Sequence, residues 1–73
     1  MKNLSTLKPD EVVAQILKKI RELFGDEAQN ESTVFASHGY YYISVAGQGS
    51  GSNRILRRQS LPAFFKEMKT WKQ

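Results

Sequence analysis

The chain has 73 residues and a net charge of +4, with 40% hydrophobic and 25% charged residues. This composition is typical of one small globular domain, near the lower size limit at which a chain can bury a sufficient core. The absence of cysteine excludes disulfides and thiolate metal sites, and the single histidine argues against zinc, so we expect neither metal nor cofactor. The chain has no run of apolar residues long enough to span a membrane and no signal-peptide pattern, which predicts a cytoplasmic protein.

The positive charge belongs to the second half of the chain. Residues 1–31 carry five basic and six acidic side chains, whereas residues 32–73 carry six basic side chains and one acidic one. Such asymmetry favours an anionic partner, of which nucleic acid is the commonest, although solubility alone would also account for it.

The first predicted element is an amphipathic helix over residues 9–24. Pro9 suits the first turn, and Gly25 suits the position after the last. The apolar residues recur at steps of three and four and form one wide stripe, made of Val12, Val13, Ile16, Leu17, Ile20, Leu23 and Phe24. Residues 1–8 are expected to be a flexible N-terminus.

A polar loop over residues 26–32 and then a hairpin are predicted next. Residues 33–36 and 40–45 are rich in β-forming side chains and flank "SHG", in which Gly39 suits a positive φ. A two-residue turn would pair Val34 with Ile43, and a three-residue turn would pair Phe35 with Tyr41. With either turn, strand alternation separates Tyr41, Ile43 and Val45 from Tyr40, Tyr42 and Ser44.

A third strand in "NRILRRQ" and a closing helix over residues 61–72 complete the chain. The intervening "GQGSGS" joins two strands and lacks nucleotide-binding spacing, so a mobile hairpin loop is expected there. We therefore predict one α+β domain over residues 1–73, a two-layer α-β-β-β-α fold. Two helices would cover one face of a three-stranded antiparallel sheet and leave the face with Tyr40 and Tyr42 open.

The leading functional prediction is a non-enzymatic nucleic-acid-binding module. Arginine and lysine would contact phosphates, with a steep salt dependence, and tyrosines on the open face would stack on bases. Strand alternation turns the three arginines to different faces unless the third strand is bulged or ends early. A strand that ends near Arg57 would allow the arginines and the two lysines to form one basic patch. The candidate binding residues are Tyr40, Tyr42, Arg54, Arg57, Arg58, Lys66 and Lys69.

Two segments, "ASHGYYYIS" and "RILRRQSLPAFF", carry a resemblance. In element order the chain resembles the double-stranded-RNA-binding domain and the HicA-type toxins, which cleave mRNA. Ser37-His38 lies where those toxins have a Ser-His turn, so the resemblance implies a ribonuclease with His38 as its catalytic residue. Histidine is also the side chain best suited to acid–base chemistry near neutral pH.

A third hypothesis is a protein-interaction or regulatory module, such as a phage-derived inhibitor, that binds an acidic protein through the open sheet face or an edge strand. Homodimerisation through that face would also suit so short a chain. The sequence leaves open the choice between DNA, RNA and a protein partner, and no membrane partner is expected.

Overall fold

The computed structural model describes residues 6–48 and 52–71. It confirms a small α+β fold with a three-stranded antiparallel sheet in the order β1-β2-β3. The expectations for residues 1–5, for the middle of the glycine-rich loop at 49–51 and for Lys72 in the closing helix lie outside the described residues. The elements are α1 (Pro9–Phe24), α2 (Asp26–Glu31), β1 (Thr33–Ser37), β2 (Tyr40–Ser44), β3 (Asn53–Arg57), a 3-10 turn (Arg58–Ser60) and α3 (Leu61–Trp71).

Helix α1 has the bounds that its pattern predicts. Pro9 occupies the first turn, and the backbone N–H of Gly25 donates to the carbonyl of Arg21 at 2.9 Å and closes the helix. Val12, Ile16 and Ile20 recur every four residues on one face, and each is fully buried. The apolar stripe therefore places α1 on the sheet.

The prediction of a loop over residues 26–32 is wrong, because Asp26–Glu31 form the short helix α2. Its first turn carries two acidic residues, whose negative charges stabilise the helix by interacting with the positive end of its dipole. The Gln29 side-chain amide donates to the Leu17 carbonyl at 3.1 Å, which ties α2 to α1. The Ser32 hydroxyl donates to the Ala28 carbonyl at 2.6 Å and ends the helix.

The hairpin has the two-residue turn, with Val34 opposite Ile43. His38 and Gly39 both have positive φ, 53° and 82°, as a type I′ turn requires. This register turns Tyr41, Ile43 and Val45 toward the helices, and all three are buried. The predicted alternation along β2 is therefore confirmed.

The core lies between the sheet and the helices α1 and α3. The helix α3 contributes Leu61, Phe64 and Met68, which are at most 3% exposed. Leu7 is also buried in this core, so the described end of the predicted flexible N-terminus is packed. No helix within the described residues is both long enough and apolar enough to cross a membrane.

Candidate nucleic-acid interface

The side of the sheet away from the helices, here called the open face, carries nine side chains in three cross-strand rows. The pairing of β1 with β2 and of β2 with β3 defines these rows. One row is polar, one is apolar, and one ends in a cation. The rows are Thr33–Ser44–Asn53, Phe35–Tyr42–Ile55 and Ser37–Tyr40–Arg57.

The central row is apolar and accessible. Phe35 is 50% exposed and Ile55 is 64% exposed, although both are large hydrophobic residues. The Phe35 and Tyr42 rings are stacked, with centroids 4.8 Å apart and planes 9° from parallel. Coplanar rings cannot approach so closely, so the two rings face one another. One face of each ring is thus already used within the protein, and Tyr42 lies between Phe35 and Ile55.

Tyr40 contacts Arg57, which is the cation of the open face. The Arg57 guanidinium lies 5.2 Å from the centre of the Tyr40 ring. Its Nη2 and Nε donate to the Tyr40 hydroxyl at 3.0 and 3.3 Å. The cross-strand neighbour on the other side of Tyr40 is Ser37, a small residue. The Tyr40 ring therefore has one face against Arg57 and the other beside a small side chain, where a flat ligand has room to stack.

The other two arginines lie on the covered side of the sheet. Arg54 pairs with the Glu67 carboxylate, and its guanidinium lies 5.9 Å from the Phe64 ring centre and 5.7 Å from that of Trp71. This arginine helps to hold α3 against the edge of the sheet. At the other end of β3, the Arg58 Nη2 donates to the Tyr41 hydroxyl at 2.9 Å.

The two lysines occupy the flank of α3 opposite Arg54. Lys66 and Lys69 are exposed. At 3.6 residues per turn, they lie about 100° and 160° around the helix axis from Glu67, which contacts Arg54. β3 ends at Arg57, one of the two arrangements that would allow a single basic patch, but the five cations are still distributed over separate surfaces.

His38 lies at one end of the sheet, in the turn between β1 and β2. Its Nδ1 is 2.8 Å from the Ser37 hydroxyl. Together with Pro9, Tyr41 and Arg58 it lines a concave site of about 360 Å³, completed by Ala36, Ser37 and Gly39. We call this concave site the turn-end cleft.

Sequence reasoning missed Phe35 and Ile55 as residues of the open face. Choosing the two-residue turn would have found Phe35, because that register places it opposite Tyr42. Ile55 follows from the same alternation along β3, where it shares a face with Arg57. The apolar character of the open face could not be predicted while two strand registers remained possible, because only one of them places Phe35 on that face.

Comparison with protein-family models, with curated proteins and with solved structures gave no match for this chain. Its function must therefore be argued from the geometry of its surfaces. Within the described ranges, 6–48 and 52–71, no group of three or more metal-ligating side chains could hold an ion.

Proposed function

We propose that the open face binds single-stranded nucleic acid by base stacking, without catalysis. The observation that carries the proposal is the composition of this face, which presents three aromatic rings and one arginine and, among its nine residues, no carboxylate. Every base has a π-face, so aromatic platforms bind single strands with little sequence preference. A cytoplasmic location, where RNA is available, is part of the proposal.

Single strands fit this face better than duplexes. In a duplex the base faces are covered by their neighbours, and non-specific binding depends on phosphate contacts from several cations. Arg57 is the only cation in the three rows. The exposed ring of Phe35 and the half-buried ring of Tyr40 offer contacts that only unstacked bases can use.

The positive charge outside the open face affects the rate of association rather than the contacts with the bases. A net charge of +4 attracts a polyanion from a distance and raises the rate of encounter. Lys66 and Lys69 contribute to this field from α3, away from the open face. Of the seven predicted binding residues, we retain Tyr40 and Arg57 as direct contacts, and Tyr42 as the support of Phe35.

A titration of the ¹⁵N-labelled protein, followed by NMR, tests the proposal. The ligands are an unstructured oligothymidylate, an RNA of mixed sequence, and a DNA duplex of equal length. We expect single strands to shift the resonances of residues 33–37, 40–44 and 53–57, and the duplex to bind more weakly. Because the cations are divided among surfaces, the salt dependence should be shallower than the sequence predicted. The expected slope is about −0.7 to −1.4, which corresponds to one or two neutralised phosphates.

Three results would contradict stacking on the open face. A slope of about −3 or steeper would mean that a cluster of cations outside this face binds the backbone. Shifts that depend on the concentration of the protein alone would identify the face as a homodimer contact, while a flat response to all three ligands would favour an acidic protein partner.

Ribonuclease activity is the second candidate, favoured by the position of His38 beside Arg58 and the Tyr41 hydroxyl in the turn-end cleft. An imidazole can transfer a proton, and an arginine can stabilise the charge on a phosphate. If this function is correct, the protein should shorten a single-stranded RNA but not the same DNA sequence, and His38→Ala should abolish the cleavage without unfolding the chain. Intact RNA after incubation with the wild-type protein would eliminate this candidate. It ranks second because no carboxylate lines the cleft as a further acid or base.

A further inference from the structure

We infer that the turn-end cleft is a binding site for a phosphate group, separate from the open face. The cleft is concave, about 360 Å³ in volume, and is lined by residues from the start of α1, the end of β1, the β1–β2 turn, β2 and the 3-10 turn. Its polar side chains are Ser37, His38, Tyr41 and Arg58. None of its lining residues is acidic, so an anion would meet no like charge on its walls.

The contact between Arg58 and Tyr41 provides the anchor of this site. Tyr41 is 3% exposed overall, and its hydroxyl accepts a hydrogen bond from Arg58 Nη2 at 2.9 Å. A phenol oxygen that accepts from an arginine still has its own O–H to donate, and that hydrogen is available to an anion in the cleft. The half-buried guanidinium is held in place by the same bond, so little side-chain freedom is lost when it binds an oxyanion.

The turn places His38 at the mouth of the cleft. The backbone φ angles of 53° at His38 and 82° at Gly39 define the turn. They set the position of the His38 Cβ and therefore the side of the turn from which the imidazole projects. When Ser37 donates to Nδ1, the proton of the neutral ring is on Nε2, which then serves as a second donor. Pro9, in the first turn of the 16-residue helix α1, forms part of the cleft wall but has no N–H to donate. Asp10 and Glu11 in the same turn offset the positive end of the helix dipole. The attraction for an anion therefore comes from Arg58, Tyr41 and His38.

These groups suit a phosphate because it accepts several charge-assisted hydrogen bonds at once. Both a free phosphate ion and the terminal phosphate of an oligonucleotide present this chemistry. The cleft lies at the turn end of the sheet and shares only Ser37 with the nine residues of the open face. Phosphate binding is therefore read at His38, Gly39 and Arg58, and stacking is read at Phe35 and Ile55. Either can therefore fail without the other.

The test is an NMR titration of the ¹⁵N-labelled full chain with inorganic phosphate, against sodium chloride at equal ionic strength. We expect saturable shifts at Ser37–Gly39 and Arg58 and none at Phe35 or Ile55. Tyr41→Phe keeps the buried ring and removes only the hydroxyl, and Arg58→Gln removes the charge. Each should weaken phosphate binding about tenfold or more, which is the effect of losing one hydrogen bond to a charged group. Lys69→Gln, which removes one exposed charge from α3 outside the cleft, is the matched control and should leave phosphate binding unchanged.

A second arm identifies the source of the phosphate. The same oligothymidylate is titrated with and without a 5′-phosphate. Added shifts in the cleft that require the 5′-phosphate, and that Tyr41→Phe removes, would assign the site to nucleic-acid ends. Inorganic phosphate binding without that difference would assign it to a free ion. Absence of saturable shifts in the cleft with either ligand, in a folded protein, would overturn the inference even if the open face binds the oligonucleotide.

Discussion

Replacing Tyr40 by leucine is expected to weaken single-strand binding roughly 5- to 160-fold, because one base–aromatic stack contributes about 1–3 kcal/mol. The substitution keeps an apolar side chain on the sheet but removes the ring on which a base would stack. It also removes the hydroxyl that accepts two hydrogen bonds from Arg57, so the cation loses its position. Isothermal titration calorimetry with an oligothymidylate measures the change.

Tyr42→Phe is the matched control for this prediction. It keeps the ring that stacks on Phe35 and removes only a hydroxyl of the same open face, so the affinity should remain close to that of the wild type. If Tyr40→Leu binds as tightly as Tyr42→Phe, aromatic stacking is not the source of affinity. A contact based on apolar area alone, as in a protein interface, would give that equality.

Replacing Ile16 by alanine is expected to remove a large fraction, roughly half, of the unfolding free energy of the domain. Ile16 has no exposed surface and lies at the centre of the α1 stripe. Truncations of this kind cost about 2–5 kcal/mol, because apolar burial is lost and a cavity remains. A chain of this length has roughly 4–11 kcal/mol of unfolding free energy in total, at 0.05–0.15 kcal/mol per residue.

Urea denaturation followed by circular dichroism measures this change. The neighbouring Gln15→Ala, at an exposed position on the same helix, should alter the free energy of unfolding by no more than about 0.5 kcal/mol. Equal midpoints for the two variants would show that α1 does not form the core with the sheet.

The helices show when a local sequence pattern is sufficient to predict secondary structure. Helix α1 was predicted to the residue because proline, an apolar stripe and glycine all indicate the same bounds. Helix α2 was missed because "DEAQNE" has no apolar stripe of its own. It is fastened to α1 by the bond from Gln29 to the Leu17 carbonyl, a contact between residues 12 positions apart that no local pattern reports.

The candidate site was predictable only in part, for a related reason. Alternation along β2 correctly assigned Tyr40 and Tyr42 to one face, because its period is two residues whatever the turn. The stacking of Phe35 on Tyr42 depends on the register between strands, which the turn decides. Likewise, the pairing of Arg54 with Glu67 depends on how α3 crosses the sheet, and it withdraws one of the three arginines from the predicted patch.

The surroundings of Trp71 give this protein a built-in optical reporter. It is the sole tryptophan of the chain, and its ring lies 6.4 Å from that of Phe24, 5.8 Å from that of Phe64 and 5.7 Å from the Arg54 guanidinium. The end of α1, the end of α3 and strand β3 therefore meet at one fluorophore on the covered side of the sheet. Its emission should follow the separation of these three elements on unfolding and stay constant when a ligand occupies the open face. Tryptophan emission can thus report the folding of an unlabelled sample whether or not a ligand is bound to the open face.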